Sequence, residues 1–137
     1  MDIKQLSFGV AAALAALTLP GAASAAVSAK DNMICATTDV VACADASCLQ
    51  GDAKSFDLPL FMFIDFKRKL VHGTDENDAE VSSPIKNLET TDNALILQGF
   101  ENHRGWTMAI DRKTGELNMS STGAQVNFII SGNCTQR

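Results

Sequence analysis

The stretch LILQGFENHRGWTMAIDRKTGELNMSS, residues 95–121, shows the clearest alternation of apolar and polar side chains in the sequence. Two segments in it, 105–110 and 117–120, alternate apolar with small or polar side chains across a turn at 111–115. Successive side chains on a strand point to opposite faces, so the alternation predicts antiparallel strands with one apolar face. The positions on that face are Trp106, Met108, Ile110, Leu117 and Met119. Such a face needs a partner, and we expect further strands to cover it.

Strand and turn signals continue through the rest of the chain from residue 26 onward. The segments predicted as strands are 34–43, 61–64, 69–72, 81–88, 94–98, 105–110, 117–120 and 126–131. Small and polar residues at 44–52 predict a turn, Pro84 interrupts the fourth strand, and a turn of helix is compatible with 53–56. The pattern indicates an all-β fold, a small antiparallel barrel or sandwich of about eight strands.

The first 25 residues have the composition of a secretory signal peptide. A basic start with Lys4 is followed by an apolar run at 8–19 and by the small residues Ala23-Ser24-Ala25. We expect cleavage after Ala25, with Ala29 as the second choice, and a single β domain at 26–137 in the periplasm or outside the cell. The apolar run is too short to span a bilayer, which takes roughly 20 residues, so no membrane span is expected.

The overall charge excludes one class of partner. The formal net charge is −5, whereas binding to a phosphate backbone requires clustered Lys and Arg. We therefore expect no nucleic-acid partner. An acidic chain of this kind is compatible with a cationic partner.

Four cysteines follow the signal segment, and an even number in an exported chain indicates disulfides. Three pairings are open. The short spacing of Cys43 and Cys48 favours a clip across a loop, which leaves Cys35 near the first strand to pair with Cys134 at the end of the last strand. Zinc binding is the competing interpretation, but close-spaced C-x2-C pairs are absent from the sequence.

Few residues have the pattern of catalytic groups. His72 and His103 stand outside any recognisable nucleophile or zinc motif, and Asp65 and Asp111 each follow a strand, where aspartate favours turns. A catalytic pair made of these two carboxylates is the alternative. Trp106 is predicted as a core anchor because it belongs to the apolar alternation. We expect no enzyme activity and no cofactor.

A simple up-and-down meander would sort the charged residues between the two ends of the fold. One end would carry a basic rim of Lys67, Arg68, Arg112 and Lys113. The other end would carry the acidic and histidine residues His72, Asp75, Glu76, Asp78, Glu80, Glu101 and His103. That second end would attract a cationic partner or, as a less favoured alternative, bind a divalent metal, although its plainest role is to keep the surface solvated.

Several spaced motifs together resemble a group of small exported bacterial β-rich proteins whose function is not assigned. They include Leu97-Gln98-Gly99, Gly105-Trp106, Ile110-Asp111 and Gly132-Asn133-Cys134-Thr135, with the three early cysteines. The resemblance implies no catalytic residue. The architecture is also loosely similar to bacterial inhibitors of c-type lysozyme, but their Ser-Gly-x-x-Tyr element is missing and the chain has no Tyr.

Three functional classes follow from these observations. The favoured class is a non-enzymatic interaction module that binds a protein or a cell-envelope component through its rims, with inhibition of a cationic hydrolase such as lysozyme as one form of it. The second class is a carrier of a small apolar ligand, and the third is an unrecognised hydrolase. The carrier is less favoured because the apolar side chains of the last strands are expected to fill a small barrel.

Overall fold

The computed structural model describes residues 26–75 and 77–137, which form nine β-strands and one turn of 3₁₀ helix, Lys54–Phe56. The strands are β1 Met33–Ala44, β2 Ser47–Gly51, β3 Phe61–Asp65, β4 Leu70–Thr74, β5 Glu80–Thr90, β6 Ala94–Glu101, β7 Arg104–Asp111, β8 Glu116–Thr122 and β9 Asn127–Gln136. The predicted signal peptide lies outside the described residues. Within the described part of the chain, no helix has the length and apolar character needed to cross a membrane.

Eight of these strands close into an antiparallel barrel, which confirms the all-β prediction. They follow the order β1-β3-β4-β5-β6-β7-β8-β9, and β9 pairs back with β1. On its other side β1 pairs first with β3 and then with β2, and a bulge separates Thr37 from Asp39 in its ladder with β9. A bulge bends a strand. The first half of β1 lies between β9 and β3, and its second half lies between β9 and the extra strand β2.

The prediction of a simple turn over residues 44–52 is wrong, because Ser47–Gly51 forms the extra strand β2. The hairpin turns on Asp45 and Ala46, whose φ angles are 48° and 64°. Two consecutive positive φ angles match the type I′ turns that join tightly paired strands. Most of β2 is exposed, so its sequence lacks the alternation by which a half-buried strand is recognised.

Pro84 lies inside β5 and does not end it, because the strand runs unbroken from Glu80 to Thr90. The ladder between β4 and β5 stops at the pair of Leu70 with Pro84. A proline is tolerated where a ladder ends, since its missing N–H is not needed for a further pair. A bulge between Ile85 and Asn87 then adjusts the register of β5 against β6.

The disulfides join Cys35 to Cys134 and Cys43 to Cys48, the pairing that the loop spacing favours. Cys35 and Cys134 are paired across β1 and β9, where the barrel closes. Cys43 and Cys48 face each other across the β1–β2 hairpin. One disulfide therefore joins the first strand of the domain to the last, and the other joins the two strands of the β1–β2 hairpin.

The two ends of the barrel differ. At one end Val27 is buried, its N–H donates to the Arg112 carbonyl at 2.8 Å, and Ala29 and Phe66 pack against the same core. We call it the plugged end; it carries the turns at 66–69, 91–93 and 112–115. The opposite, open end carries the β1–β2 turn and the loops at 75–79, 102–103 and 123–126.

Candidate functional site

An apolar cavity of about 240 Å³ lies inside the barrel at the open end. Its apolar walls include Met62, Val71, Trp106, Met119, Phe128 and Ile130, which lie on five strands, and Leu58 and Pro59, which precede β3. Val81 and two charged residues, Glu101 and Arg104, also line it. The cavity thus combines an apolar interior with charged groups near the turn that joins β6 to β7.

The expectation that apolar side chains fill the interior is wrong at this end. Met108, Ile110 and Leu117 fill the plugged half and are fully buried. The inward positions of the open half include several small residues that line the cavity: Thr37, Gly73, Ser83 and Ser121. Small side chains opposite large ones leave space inside a barrel. The apolar side chains of the open half therefore line a cavity and do not fill it.

Trp106 is buried in the barrel and forms part of the cavity wall. Gly99 is its partner across β6 and β7, and a Cβ on Gly99 would collide with the indole ring and lie 2.6 Å from the Pro84 carbonyl oxygen. The indole N–H donates to the Ser83 hydroxyl at 2.7 Å, so the buried polar edge of the ring is satisfied. The glycine and the serine together fix the ring beside the cavity.

Arg104 is the only Lys or Arg among the described residues that line the cavity. Its Nη1 donates to the Val126 carbonyl at 3.0 Å and to the Ser121 carbonyl at 3.4 Å. The guanidinium carbon lies 5.1 Å from the centre of the Phe128 ring, within cation–π range. The side chain is therefore held in place by β8, β9 and their turn.

Arg104 is not among the site residues predicted from the sequence. A signal for it was present, because Arg104 continues the alternation of Trp106, Met108 and Ile110 toward the open end. Side chains two residues apart on a strand share a face. The alternation therefore places Arg104 on the inward face at the start of β7.

The acidic and histidine residues share the open half of the barrel without forming one cluster. His72 stacks on Phe63 with ring centres 5.3 Å apart, and His103 is exposed in the β6–β7 turn. Asp75 caps its own loop by accepting from the N–H groups of Asn77 and Ala79. Asp78 and Glu80 are exposed on that loop and at the start of β5, and Glu76 lies outside the described residues.

The acidic and histidine residues that the structure describes form no metal site. Among residues 26–75 and 77–137, no group of three or more His, Cys, Asp and Glu side chains could hold a metal ion. The sulfur atoms of all four cysteines are engaged in disulfides. The residues described thus give the metal alternative no ligand set.

The four residues of the expected basic rim all lie at the plugged end, on two hairpins. Lys67 and Arg68 belong to the β3–β4 turn, and Arg112 and Lys113 to the β7–β8 turn. In the closed eight-strand order these hairpins stand on opposite sides of the barrel. Arg112 donates to the Thr91 carbonyl at 2.8 Å and to the Val27 carbonyl at 3.4 Å. The four basic residues therefore form two separate pairs and not one continuous rim. The hydrogen bonds of Arg112 to backbone carbonyls stabilise the fold.

Asp65 and Asp111 act as turn residues at the plugged end. The Asp65 carboxylate accepts from the Arg68 N–H at 2.9 Å. The Asp111 carboxylate accepts from the N–H groups of Lys113 and Thr114, both at 2.8 Å, and from the Thr114 hydroxyl. These bonds, led by the one from the Thr114 N–H, lower the pKa of Asp111.

No protein-family model matches this chain, and a search of curated proteins finds no significant match.

Proposed function

We propose that this chain is an exported, non-enzymatic binding protein that takes the apolar part of a small molecule into the open end of its barrel. The observation that carries the proposal is the cavity of about 240 Å³ with apolar walls. Ligand sites in proteins are mostly concave and apolar, with a few polar groups that orient the ligand. The signal-like residues 1–25 and the two disulfides support export.

The volume limits the size of the ligand. An engineered apolar cavity of about 150 Å³ accepts benzene, which has six non-hydrogen atoms. Scaled by volume, 240 Å³ accommodates about ten such atoms. This is below the roughly 300–1,000 Å³ of sites for drug-sized ligands. The cavity therefore suits one ring system or one alkyl chain of about eight carbons.

The exposed apolar residues give less support to an interaction module. Leu49, Phe100 and Ile129 are 70%, 59% and 56% exposed, but Phe100 is on β6, across the barrel from β1. Leu49 and Ile129 are on the two strands that flank β1, where Ala42 pairs with both Leu49 and Phe128, so Ile129 points to the opposite face from Leu49. Single exposed apolar side chains are common on soluble proteins and do not mark an interface. The concave apolar cavity at the open end is the more specific feature.

The test is a titration of the oxidised protein with octan-1-ol. Trp106 is the only Trp and lines the cavity, so its fluorescence should change saturably as the alcohol displaces water. The melting temperature should rise, since a ligand at a hundred times its dissociation constant adds about 2.7 kcal/mol to the free energy of unfolding. Expression with the native N-terminal segment, followed by fractionation, tests export in the same preparation.

Two matched variants identify the cavity as the binding site. Val81 and Leu88 are both on β5 and are 40% and 44% exposed, but only Val81 lines the cavity. Val81→Phe should narrow the mouth and weaken binding of the alcohol, whereas Leu88→Phe should leave binding unchanged. Equal effects of the two variants, or no saturable binding by the wild-type protein, would contradict the proposed function.

A further inference from the structure

We propose that the ligand is an anionic amphiphile, a carboxylate with an alkyl chain of about eight carbons, and that Arg104 binds its head group. This inference rests on the proposed function, because it assigns the chemistry of a ligand for the same cavity. The alkyl chain would lie among the apolar walls, and the carboxylate would meet the guanidinium at the open end. The chain length follows from the cavity volume of about 240 Å³.

Arg104 has donors left for such a ligand. Among the described residues it donates three hydrogen bonds, all from Nη1, to the carbonyl oxygens of Ser121 and Val126 and to the Ser121 hydroxyl. In the described part of the chain, every buried side-chain nitrogen or oxygen has a partner. Nε and Nη2, which donate none of these bonds, therefore retain contact with solvent. A planar guanidinium with free donors suits a carboxylate.

The Arg104 side chain is held at the cavity wall before any ligand binds. The contact with the Phe128 ring and the bonds to the β8–β9 turn hold the guanidinium at the cavity wall. Phe128 itself lines the cavity, so one ring borders both the cationic group and the apolar space. Ordering a flexible side chain costs free energy on binding, and a side chain that is held beforehand avoids most of this cost.

Glu101 is the competing group, since its carboxylate also lines the cavity and would favour a cationic ligand. Glu101 accepts one hydrogen bond, from the side-chain amide of its neighbour Asn102 at 3.3 Å. It therefore lacks the fixed setting of Arg104. Of the two histidines of this half, His72 also borders the cavity but stacks its ring on Phe63, and His103 lies in the exposed turn. The geometry thus favours recognition of an anion, which Glu101 would weaken.

The test compares octanoate with octan-1-ol, which share the alkyl chain and differ in the charge of the head group. Binding of each is followed by Trp106 fluorescence in the oxidised wild-type protein and in Arg104→Gln. We expect the preference for octanoate over octanol to fall about tenfold in the variant, the size expected for one lost hydrogen-bonded charge contact. Arg68→Gln removes the same charge from the plugged end and should leave the preference unchanged.

A second variant covers the case in which Arg104→Gln fails to fold, because Arg104 also binds the β8–β9 turn. Glu101→Gln removes the competing negative charge and keeps the Arg104 side chain, and it should strengthen octanoate binding severalfold more than octanol binding. Equal effects of Glu101→Gln on both ligands would contradict the assignment of an anionic head group.

The outcomes separate this inference from the proposed function. Binding of both ligands with a preference that Arg104→Gln does not alter would overturn the role of Arg104 and leave the cavity as an apolar site. No binding of either ligand would overturn the proposed function and the inference together. A preference for octylammonium over octanoate would assign the head-group contact to Glu101 and would also contradict the inference.

Discussion

Ala46 shows at the scale of one residue how the fold tolerates an unfavourable backbone. Its φ angle of 64° lies in the left-handed region, which costs a residue with a Cβ about 1–2 kcal/mol. Glycine adopts this conformation without that cost but loses about 0.4–1 kcal/mol through the greater freedom of the unfolded chain. We expect Ala46→Gly to raise the free energy of unfolding by about 0.5–1 kcal/mol, measured by urea denaturation of the oxidised protein.

Ala44 provides the control for this substitution, because it lies two residues away at the end of β1 and has no positive φ. Ala44→Gly should lower the free energy of unfolding, since glycine weakens a strand. A loss of stability in both variants would show that the β1–β2 turn does not have the left-handed geometry described.

Asp111 gives stability a dependence on pH. Its pKa is lowered in the folded protein, chiefly by the hydrogen bond from the Thr114 N–H, from an ordinary value of 3.8. A lowered folded pKa contributes stability that is present above the unfolded pKa and is lost as pH falls through the folded pKa. We expect the urea concentration at the unfolding midpoint to decrease as the pH is lowered below about 4. In Asp111→Asn this decrease should be less steep.

Glu116→Gln is a suitable control for Asp111→Asn because Glu116 is an exposed carboxylate on the same hairpin. It leaves the hydrogen bonds of Asp111 in place, so its acid dependence should remain close to that of the wild-type protein. Identical acid slopes for wild type and Asp111→Asn would contradict the role given to this turn.

At the scale of elements, the two disulfides should differ in their contribution to stability. In the chain-entropy account a crosslink contributes more when it closes a longer loop. The separations are 99 residues for Cys35–Cys134 and 5 residues for Cys43–Cys48. We expect loss of about 4–5 kcal/mol for the double Cys→Ser variant of the long crosslink and about 2 kcal/mol for the short one, by denaturant unfolding. An inverted order would contradict this account.

The sequence predicts the elements unevenly, and β2 and β5 show why. Alternation predicts β7 and β8 well because each buries one face of the sheet. It does not predict β2, which is almost entirely exposed. The proline in β5 suggests that the strand is interrupted, but the strand continues because Pro84 lies where the pairing with β4 ends. The alternation of side chains thus predicts strands that are buried on one face. An exposed strand such as β2 is formed by its pairing with the neighbouring strand β1, which its own sequence does not indicate.

The same limit applies to the candidate site. Alternation indicates that Trp106 and Ile130 point inward, and both do so. Alternation does not indicate whether the inward side chains fill the interior of the barrel. That depends on small residues far apart in the chain, such as Gly73, Ser83 and Ser121, which lie together at the open end. The cavity is therefore a property of the closed barrel and not of any one strand.

At the scale of the whole molecule, the described residues form a barrel with one plugged end and one open end, and the proposed function puts the apolar part of a ligand in the open end. The most direct measurement is a crystal structure of the oxidised protein grown with 8-bromooctan-1-ol, with anomalous scattering used to locate bromine. We expect a bromine peak inside the barrel, between Trp106, Met62 and Ile130. A side-chain-filled interior, or bromine found only on the outer wall, would contradict it.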